Sequence, residues 1–344
     1  DTHWHTFGYD VGMMNEFYEL KPGETKRNVL MYNSSTVLLN DLGLKVNYES
    51  GEKIKGNILV SYFDESDLDC GELTVRLFAG NKPIYKEFVK VNNIKNGEVS
   101  AIYAMDIELP KVNTPKELKL SVTLDGNGVY AENQWELYVF PKVKNQNADN
   151  LVVSEGMSVK ELKDNLSKKK DVILFSAEPF EASETTFRIG LAGRCSGNVA
   201  TVVYDHPIFK DLPHKGFCGW QFSSLMEGGN AVFFDDGVPF NPIVEVVSTH
   251  KYVIRQSSLF ELSALGGRLI VCSMNFAHGD PAANWLKERI ISYAGSADFN
   301  PATELTDNEF ETLLYSRLKK AQANNNRAFN INDKSNQKVK GDIK

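Results

Sequence analysis

Cysteine is scarce in this chain, and the few present do not cluster: Cys70, Cys195, Cys218 and Cys272 are spread over 344 residues with no CxxC pair. That spacing excludes the thiol frameworks of zinc modules. It predicts buried free thiols, with a single Cys195–Cys218 bridge left open for an oxidising compartment. Long apolar runs are missing as well. No stretch of about twenty such residues occurs, so no segment is expected to span a bilayer. Positive charge is in deficit, with 38 Lys and Arg against 45 Asp and Glu, and the net charge of −7 gives no electrostatic reason to bind nucleic acid or an anionic membrane. There is no GxGxxG spacing to cradle phosphates, and no cofactor is expected. The chain opens at Asp1 without an initiator Met or a signal-peptide pattern, and the expectation is that something upstream has been removed.

What remains is the composition of a folded protein with real cores, 42% hydrophobic and 24% charged, and a length that suits two or three domains. Residues 1–36 form a lead whose aromatics are followed by the turn signal Lys21-Pro22-Gly23. From 37 to 141 the chain reads as strand-length segments split by turns: Lys53–Phe63, Glu72–Ala79, Tyr85–Val91, Val99–Leu109, Glu117–Leu124 and Gln134–Phe140. Leu118, Leu120, Val122 and Leu124 put every second side chain on one face. Gly51, Gly80-Asn81, Asn96-Gly97 and Gly126-Asn127-Gly128 mark turns. About seven short strands in about a hundred residues predict an immunoglobulin-like antiparallel β-sandwich, in architecture only, because the Cys…Trp…Cys signature of antibody domains is absent.

After the polar run Lys142–Asn150 the period changes. Val159–Leu166 and Pro281–Tyr293 have helical spacing, while Val172–Phe175, Ala200–Tyr204, Ala231–Phe234, Ile243–Val247 and Arg268–Ser273 are short apolar runs. Strands alternating with helices predict, for residues 150–298, an α/β domain with a mainly parallel sheet. An amphipathic helix follows from Thr303 to about Ala321, capped by Thr306 or Asp307. Asn324–Lys344, rich in Asn and Lys, reads as a disordered or partner-draped tail, so that 299–344 forms a helix and tail.

Candidate chemistry is thin. In a strand, His3 and His5 share one face on either side of Trp4; two imidazoles do not complete a metal site, whereas a Trp beside polar rings lines sugar pockets. Asp64, Glu65, Asp67 and Asp69 form an acidic turn that lacks the pattern of an EF-hand loop. Asp235-Asp236-Gly237 reads as a tight turn. Arg194-Cys195-Ser196-Gly197 lacks the leading Gly of a nucleophile elbow. His206 precedes Pro207 and reads as a turn residue without a base partner. Glu16 is the carboxylate nearest an aromatic context, and no pair of carboxylates is placed to flank a glycosidic bond.

Several segments resemble one known family. Val11-Gly12-Met13-Met14-Asn15-Glu16-Phe17-Tyr18-Glu19 is similar to the last barrel strand and exit of long family 2 glycoside hydrolases, the β-galactosidases, β-glucuronidases and β-mannosidases. Asn133-Gln134-Trp135-Glu136-Leu137-Tyr138-Val139-Phe140-Pro141 resembles the strand that ends their sandwich domain. Leu151–Phe175, Asp205-His206-Pro207-Ile208-Phe209, Trp220-Gln221, Phe240–Val247 and Gly266–Ser273 are similar to segments of their C-terminal domain, with Phe222 standing where a second Trp is expected.

The resemblance implies a multidomain chain: a barrel-end remnant (1–36), an immunoglobulin-like sandwich (37–141) and a flavodoxin- or amidotransferase-like α/β domain (150–298). It implies a non-catalytic, accessory region of a retaining enzyme that hydrolyses glycans, periplasmic or secreted. The catalytic domains would lie N-terminal to it, an oligosaccharide or polysaccharide would be the partner, and self-association is compatible with its exposed aromatics. His3, Trp4 and His5 would sit near the rim of the sugar pocket, and no catalytic residue carries over. The alternatives are a stand-alone carbohydrate-binding or scaffold protein in which Trp4, Trp135 and Trp220 stack on glycan, and a hydrolase that uses Cys195 or Cys218.

Overall fold

The computed structural model describes residues 13–15, 17–143, 151–187, 201–247, 254–276 and 279–315. The chain divides after Val139 into two compact units, apart from Asn113–Pro115, which group with the second.

The first unit holds a short helix, α1 (Lys26–Tyr32), and eight strands: β1 (Thr36–Asn40), β2 (Asn47–Glu49), β3 (Lys53–Tyr62), β4 (Leu68–Ala79), β5 (Lys82–Ile94), β6 (Glu98–Glu108), β7 (Lys116–Gly126) and β8 (Val129–Phe140). They form a three-stranded sheet, β1-β3-β6, and a five-stranded sheet, β2-β8-β7-β4-β5. The alternation read in β7 sets the register. Leu118, Leu120, Val122 and Leu124 are all buried and enter one core shared with Ile54, Ile58 and Val60 of the facing sheet. A slip of one residue would turn all four to solvent, at about 1.5–3 kcal/mol each. Gly126 pairs with Val129, so β7 and β8 are joined by Asn127-Gly128 alone, both at positive φ (48° and 82°). That is the turn whose twist matches a hairpin. Helix α1, which the sequence reading did not anticipate, is capped by Thr25. It is tied to β8 by the Arg27–Glu132 ion pair and by Asn133, whose Nδ2 donates to Met31 O.

The second unit contains β9 (Leu151–Ser154), α2 (Val159–Ser167), β10 (Asp171–Leu174), β11 (Ala182–Glu184), β12 (Thr201–Val203), α3 (Ser223–Met226), β13 (Asn230–Phe233), β14 (Pro242–Val246), β15 (Gln256–Ala264), β16 (Gly267–Cys272), α4 (Pro281–Ala294) and α5 (Asp307–Leu314). All eight strands belong to one sheet. Its cores follow the strand alternation. Val172 and Leu174 of β10, Leu269 and Val271 of β16, and Phe260 and Leu262 of β15 pack with Leu162 and Leu166 of α2 and with Phe310 and Leu313 of α5. Arg268, just before Leu269, turns away from them, toward Phe299 beyond the end of α4.

The expected mainly parallel sheet is corrected. Among the described strands only the pairs β9–β10 and β10–β16 are parallel; β15 is antiparallel to β13, β14 and β16. The reason lies in the connections. A parallel crossover takes a dozen or more residues, usually a helix, which α2 supplies between β9 and β10. Between β15 and β16 there are only Leu265 and Gly266, both at positive φ, and a two-residue turn yields an antiparallel hairpin. Gly267 then lets β16 approach α2: a Cβ there would meet Leu166 O at 2.7 Å and Lys170 O at 2.8 Å.

Thr306 caps α5 through a capping box with Glu309, as expected. The tail from 316 onward, including the predicted extension of this helix, lies outside the described residues.

Candidate functional site

His3, Trp4, His5, Glu16 and Cys195 lie outside the described residues, so the candidate chemistry is that of the second unit. The motif Asp205-His206-Pro207-Ile208-Phe209 forms one turn of 3-10 helix over Pro207–Phe209 with His206 as its cap. The His206 Nδ1 accepts from the Ile208 N–H at 3.3 Å, so the neutral ring carries its proton on Nε2. That nitrogen faces Glu261 Oε1 at 3.6 Å, which corrects the reading of His206 as a residue without an acidic partner. Glu261 comes from the middle of β15 and is only 9% exposed. Tyr293 of α4 stands edge-on to the His206 ring, 5.1 Å between centroids. Burial, and then the Glu261 carboxylate, push its phenol well above the ordinary range. Arg289 of α4 completes the arrangement, donating from Nη2 to Pro207 O (2.7 Å) and from Nε to Ile208 O (3.3 Å).

Nδ1 is therefore engaged on the backbone, and Nε2 faces the largely buried Glu261 at ion-pair distance, beyond hydrogen-bond reach. A general base needs a nitrogen within reach of the substrate proton, and the His206 side chain is only 15% exposed. The constellation fastens the 3-10 turn to β15 and α4.

The carboxyl ends of the parallel strands are where open α/β sheets bind ligands, and there, among the described residues, several polar groups are committed. Ser154 Oγ donates to Gly156 O (2.6 Å), Ser273 Oγ donates to Asn230 O (2.6 Å), and Ser176 Oγ accepts from Glu178 N (3.0 Å). Glu155 pairs with Lys287 at 2.8 Å, which holds its carboxyl below the usual range. Lys287 also lies 5.1 Å over the Phe175 ring, and Phe175 meets Phe276 edge to face at 5.1 Å.

The thiols divide by environment. Cys218 and Cys272 are buried and unbridged, and desolvation pushes each up to about 12; a thiol so placed does not supply the nucleophilic thiolate. Cys70, expected to be buried, is exposed instead, because it sits near the start of β4 with exposed Asp69 and Glu72, on the side opposite buried Leu73, Val75 and Leu77. Treatment of the native protein with iodoacetamide at about pH 8 is expected to label Cys70 while sparing Cys218 and Cys272 until the chain is unfolded. Peptide mapping by mass spectrometry reads this directly, and early labelling of Cys218 would restore it as a candidate nucleophile.

The remaining sequence candidates resolve plainly. Asp67 of the acidic turn accepts from Asn96 N (2.9 Å) and Lys95 Nζ (2.6 Å), bonds that lower its pKa. Among the described residues no group of three or more His, Cys, Asp or Glu is placed to hold a metal, and no helix is long and apolar enough to cross a membrane. Asp235 and Val238 close a tight turn. Trp135 packs against the core of the first unit. Trp220 is 47% exposed and meets Phe187 at 5.1 Å. The Phe187 N–H and Thr186 hydroxyl both donate to Glu227 Oε2, each at 3.0 Å.

Sequence reasoning missed Glu261, Tyr293 and Arg289. For Glu261 one signal was available, a lone carboxylate within the apolar stretch Leu259-Phe260-Glu261-Leu262.

Two family profiles match, both described as domains of unknown function: DUF8488 over residues 52–141 and DUF8487 over residues 192–315. No curated protein matches. Solved structures with partial likeness include a β-glucuronidase from Parabacteroides merdae (9% identity, 41% of this chain and 21% of that one, TM-score 0.22). The same enzyme with glycerol in its active site gives 10%, 41%, 20% and 0.22. A family 123 glycoside hydrolase from Clostridium perfringens that acts on glycolipid glycans gives 11%, 43%, 37% and 0.22. The matched regions span from a fifth to just over a third of those chains. These neighbours are glycoside hydrolases, and likenesses at this TM-score carry no weight in assigning function.

Proposed function

We propose that this chain is a non-catalytic, accessory region of a glycoside hydrolase of the family 2 type, its first unit an immunoglobulin-like sandwich and its second an amidotransferase-like α/β domain. The observation that carries the accessory role is the committed state of the chemistry among the described residues of the second unit. His206 holds its own turn through Nδ1 and turns Nε2 toward the buried Glu261, and the thiols of Cys218 and Cys272 stay protonated. The glycan context comes from the order of the sequence motifs, from Val11–Glu19 through Asn133–Pro141 to Gly266–Ser273. In this reading the catalytic carboxylates, which retaining enzymes hold about 5 Å apart, belong to domains N-terminal to this chain in a periplasmic or secreted enzyme, and His3, Trp4 and His5 border its sugar pocket.

The chain alone is expected to leave a panel of aryl β-glycosides unhydrolysed, while the full-length protein from its native source turns at least one of them over. Hydrolysis by the chain alone above the buffer rate would overturn the proposal. So would a native protein of the mass of this chain, which would shift the reading to a stand-alone binding or scaffold protein.

A further inference from the structure

Strands β12 and β14 pair in register, Thr201 with Val246, Val202 with Glu245 and Val203 with Val244. At these three pairs burial alternates: Thr201, Val203, Val244 and Val246 are buried, while Val202 and Glu245 are half-exposed on the other side, where the next residue, Ile243, is buried. On the far side of β12, Phe217 forms an antiparallel bridge with Val202, and Val203 N donates to Gly216 O. Residues directly opposite one another share a face, so Phe217, Val202 and Glu245 form one row across three segments. Tyr204 lies two residues beyond Val202 and is therefore on the same face. Its N–H continues the ladder to Ile243 O, and its hydroxyl donates to Glu245 Oε2 at 2.6 Å. Phe217 is 48% exposed and Tyr204 43%. Two aromatic rings and a carboxylate are thus held open to solvent on a rigid ladder.

We propose that this outer face, with Tyr204, Phe217 and Glu245, binds pyranose units of a neutral glycan. The class of ligand rests on the glycan-directed reading above; the location rests on the register alone. A pyranose presents a C–H face that packs on an aromatic ring, and its hydroxyls donate to the carboxylate oxygens of Glu245. The Tyr204–Glu245 bond fixes both groups before the ligand arrives, which lowers the entropic cost of binding.

Size decides against a protein partner. A specific protein interface takes about 800 Å² and 20–30 residues on each side, whereas this patch is two rings with the exposed Asp205 and Lys215 beside them in sequence. Charge decides against acidic sugars, since a uronate would set its carboxylate against Glu245.

The test is isothermal titration of the chain with soluble gluco-, xylo-, manno- and galacto-oligosaccharides and with an oligogalacturonate. Wild type is compared with Phe217→Ala, Tyr204→Ala and Tyr204→Phe, each verified as folded by circular dichroism, and with Phe88→Ala, an exposed ring on the first unit. The expected result is saturable binding of at least one neutral oligosaccharide, weakened about tenfold or more by Phe217→Ala and by Tyr204→Ala, less by Tyr204→Phe and not by Phe88→Ala. Absence of binding to every neutral sugar, binding that survives both alanine substitutions, equal loss in Phe88→Ala, or preference for the oligogalacturonate would each overturn it. The readout is separate from the aryl-glycoside assay, so either idea can fail while the other stands.

Discussion

Phe260→Ala is expected to destabilise the second unit by about 3–5 kcal/mol, the range for truncating a buried aromatic. Phe260 is 1% exposed at the centre of β15. Its ring stands edge to face with Phe234 at 4.9 Å and Phe180 at 6.1 Å, and Phe234 meets Phe240 at 5.0 Å in turn. Removing the central ring takes the partner from two edge-to-face contacts at once, each worth about 0.5–1.5 kcal/mol beyond its area. The cavity opens against α2 and α5, whose Leu166 and Phe310 share the same core. Against a domain stability of about 5–15 kcal/mol that loss is large.

Each unit has its own core, so the damage should be local. Hydrogen exchange read by mass spectrometry should show protection falling in peptides of 151–187 and 254–276 while β3 and β7 keep theirs. Equal loss in both units would refute the separation of the cores.

The first unit was largely legible because its strands obey a period of two with one face buried. All six predicted strand segments overlap observed strands, and the turn at Gly126-Asn127-Gly128 stands where the glycines placed it. Strand β15 was not legible. It reads Gln256-Ser257-Ser258-Leu259-Phe260-Glu261-Leu262-Ser263-Ala264, a polar stretch by composition, yet all but Ser263 are buried.

The buried serine hydroxyls and the Gln256 carbonyl survive burial by bonding locally, which no hydropathy pattern records. Ser257 Oγ donates to Val244 O (2.7 Å) or Leu259 O (2.8 Å), Ser258 Oγ donates to Asn230 O (2.9 Å), and Gln256 Oε1 accepts from Ser183 (3.2 Å). With that central strand unread, the antiparallel half of the sheet was invisible, and so was the partner that β15 brings to His206. The sequence motif around His206 was recognisable, but its role as a fastening between β15 and α4 depends on residues 55 and 87 positions further along the chain, and no spacing rule reaches that far.

Arg268→Ala is expected to cost about 2–4 kcal/mol, because it removes one partner of a part-buried pair and leaves the other uncompensated. Arg268 Nε and Nη2 donate to the two oxygens of Asp171 at 2.7 and 2.6 Å, and Nη1 donates to Phe299 O. The guanidinium carbon also lies 4.5 Å from the Phe299 ring centroid. One side chain therefore joins β16, its parallel neighbour β10 and the segment that follows α4. The Asp171 hydrogen bonds, then its charge, raise the Arg268 pKa further above its already high ordinary value, so the guanidinium keeps its charge throughout the neutral range.

Geometry rather than charge is what Arg268→Lys tests. A lysine keeps the cation but cannot fork across both carboxylate oxygens and reach Phe299 O as well, so it should recover less than half of the loss. A double-mutant cycle with Asp171→Ala, measured by urea unfolding, should give a coupling of about 1–3 kcal/mol. A coupling near zero would mean that the Phe299 contacts alone carry the effect, and full rescue by lysine would mean that the fork contributes nothing. Asp171 and Arg268 are 97 positions apart in the chain and are brought level by the parallel register of β10 and β16. The coupling is therefore also a measure in solution of that register, on which the separation of the two faces of the sheet depends.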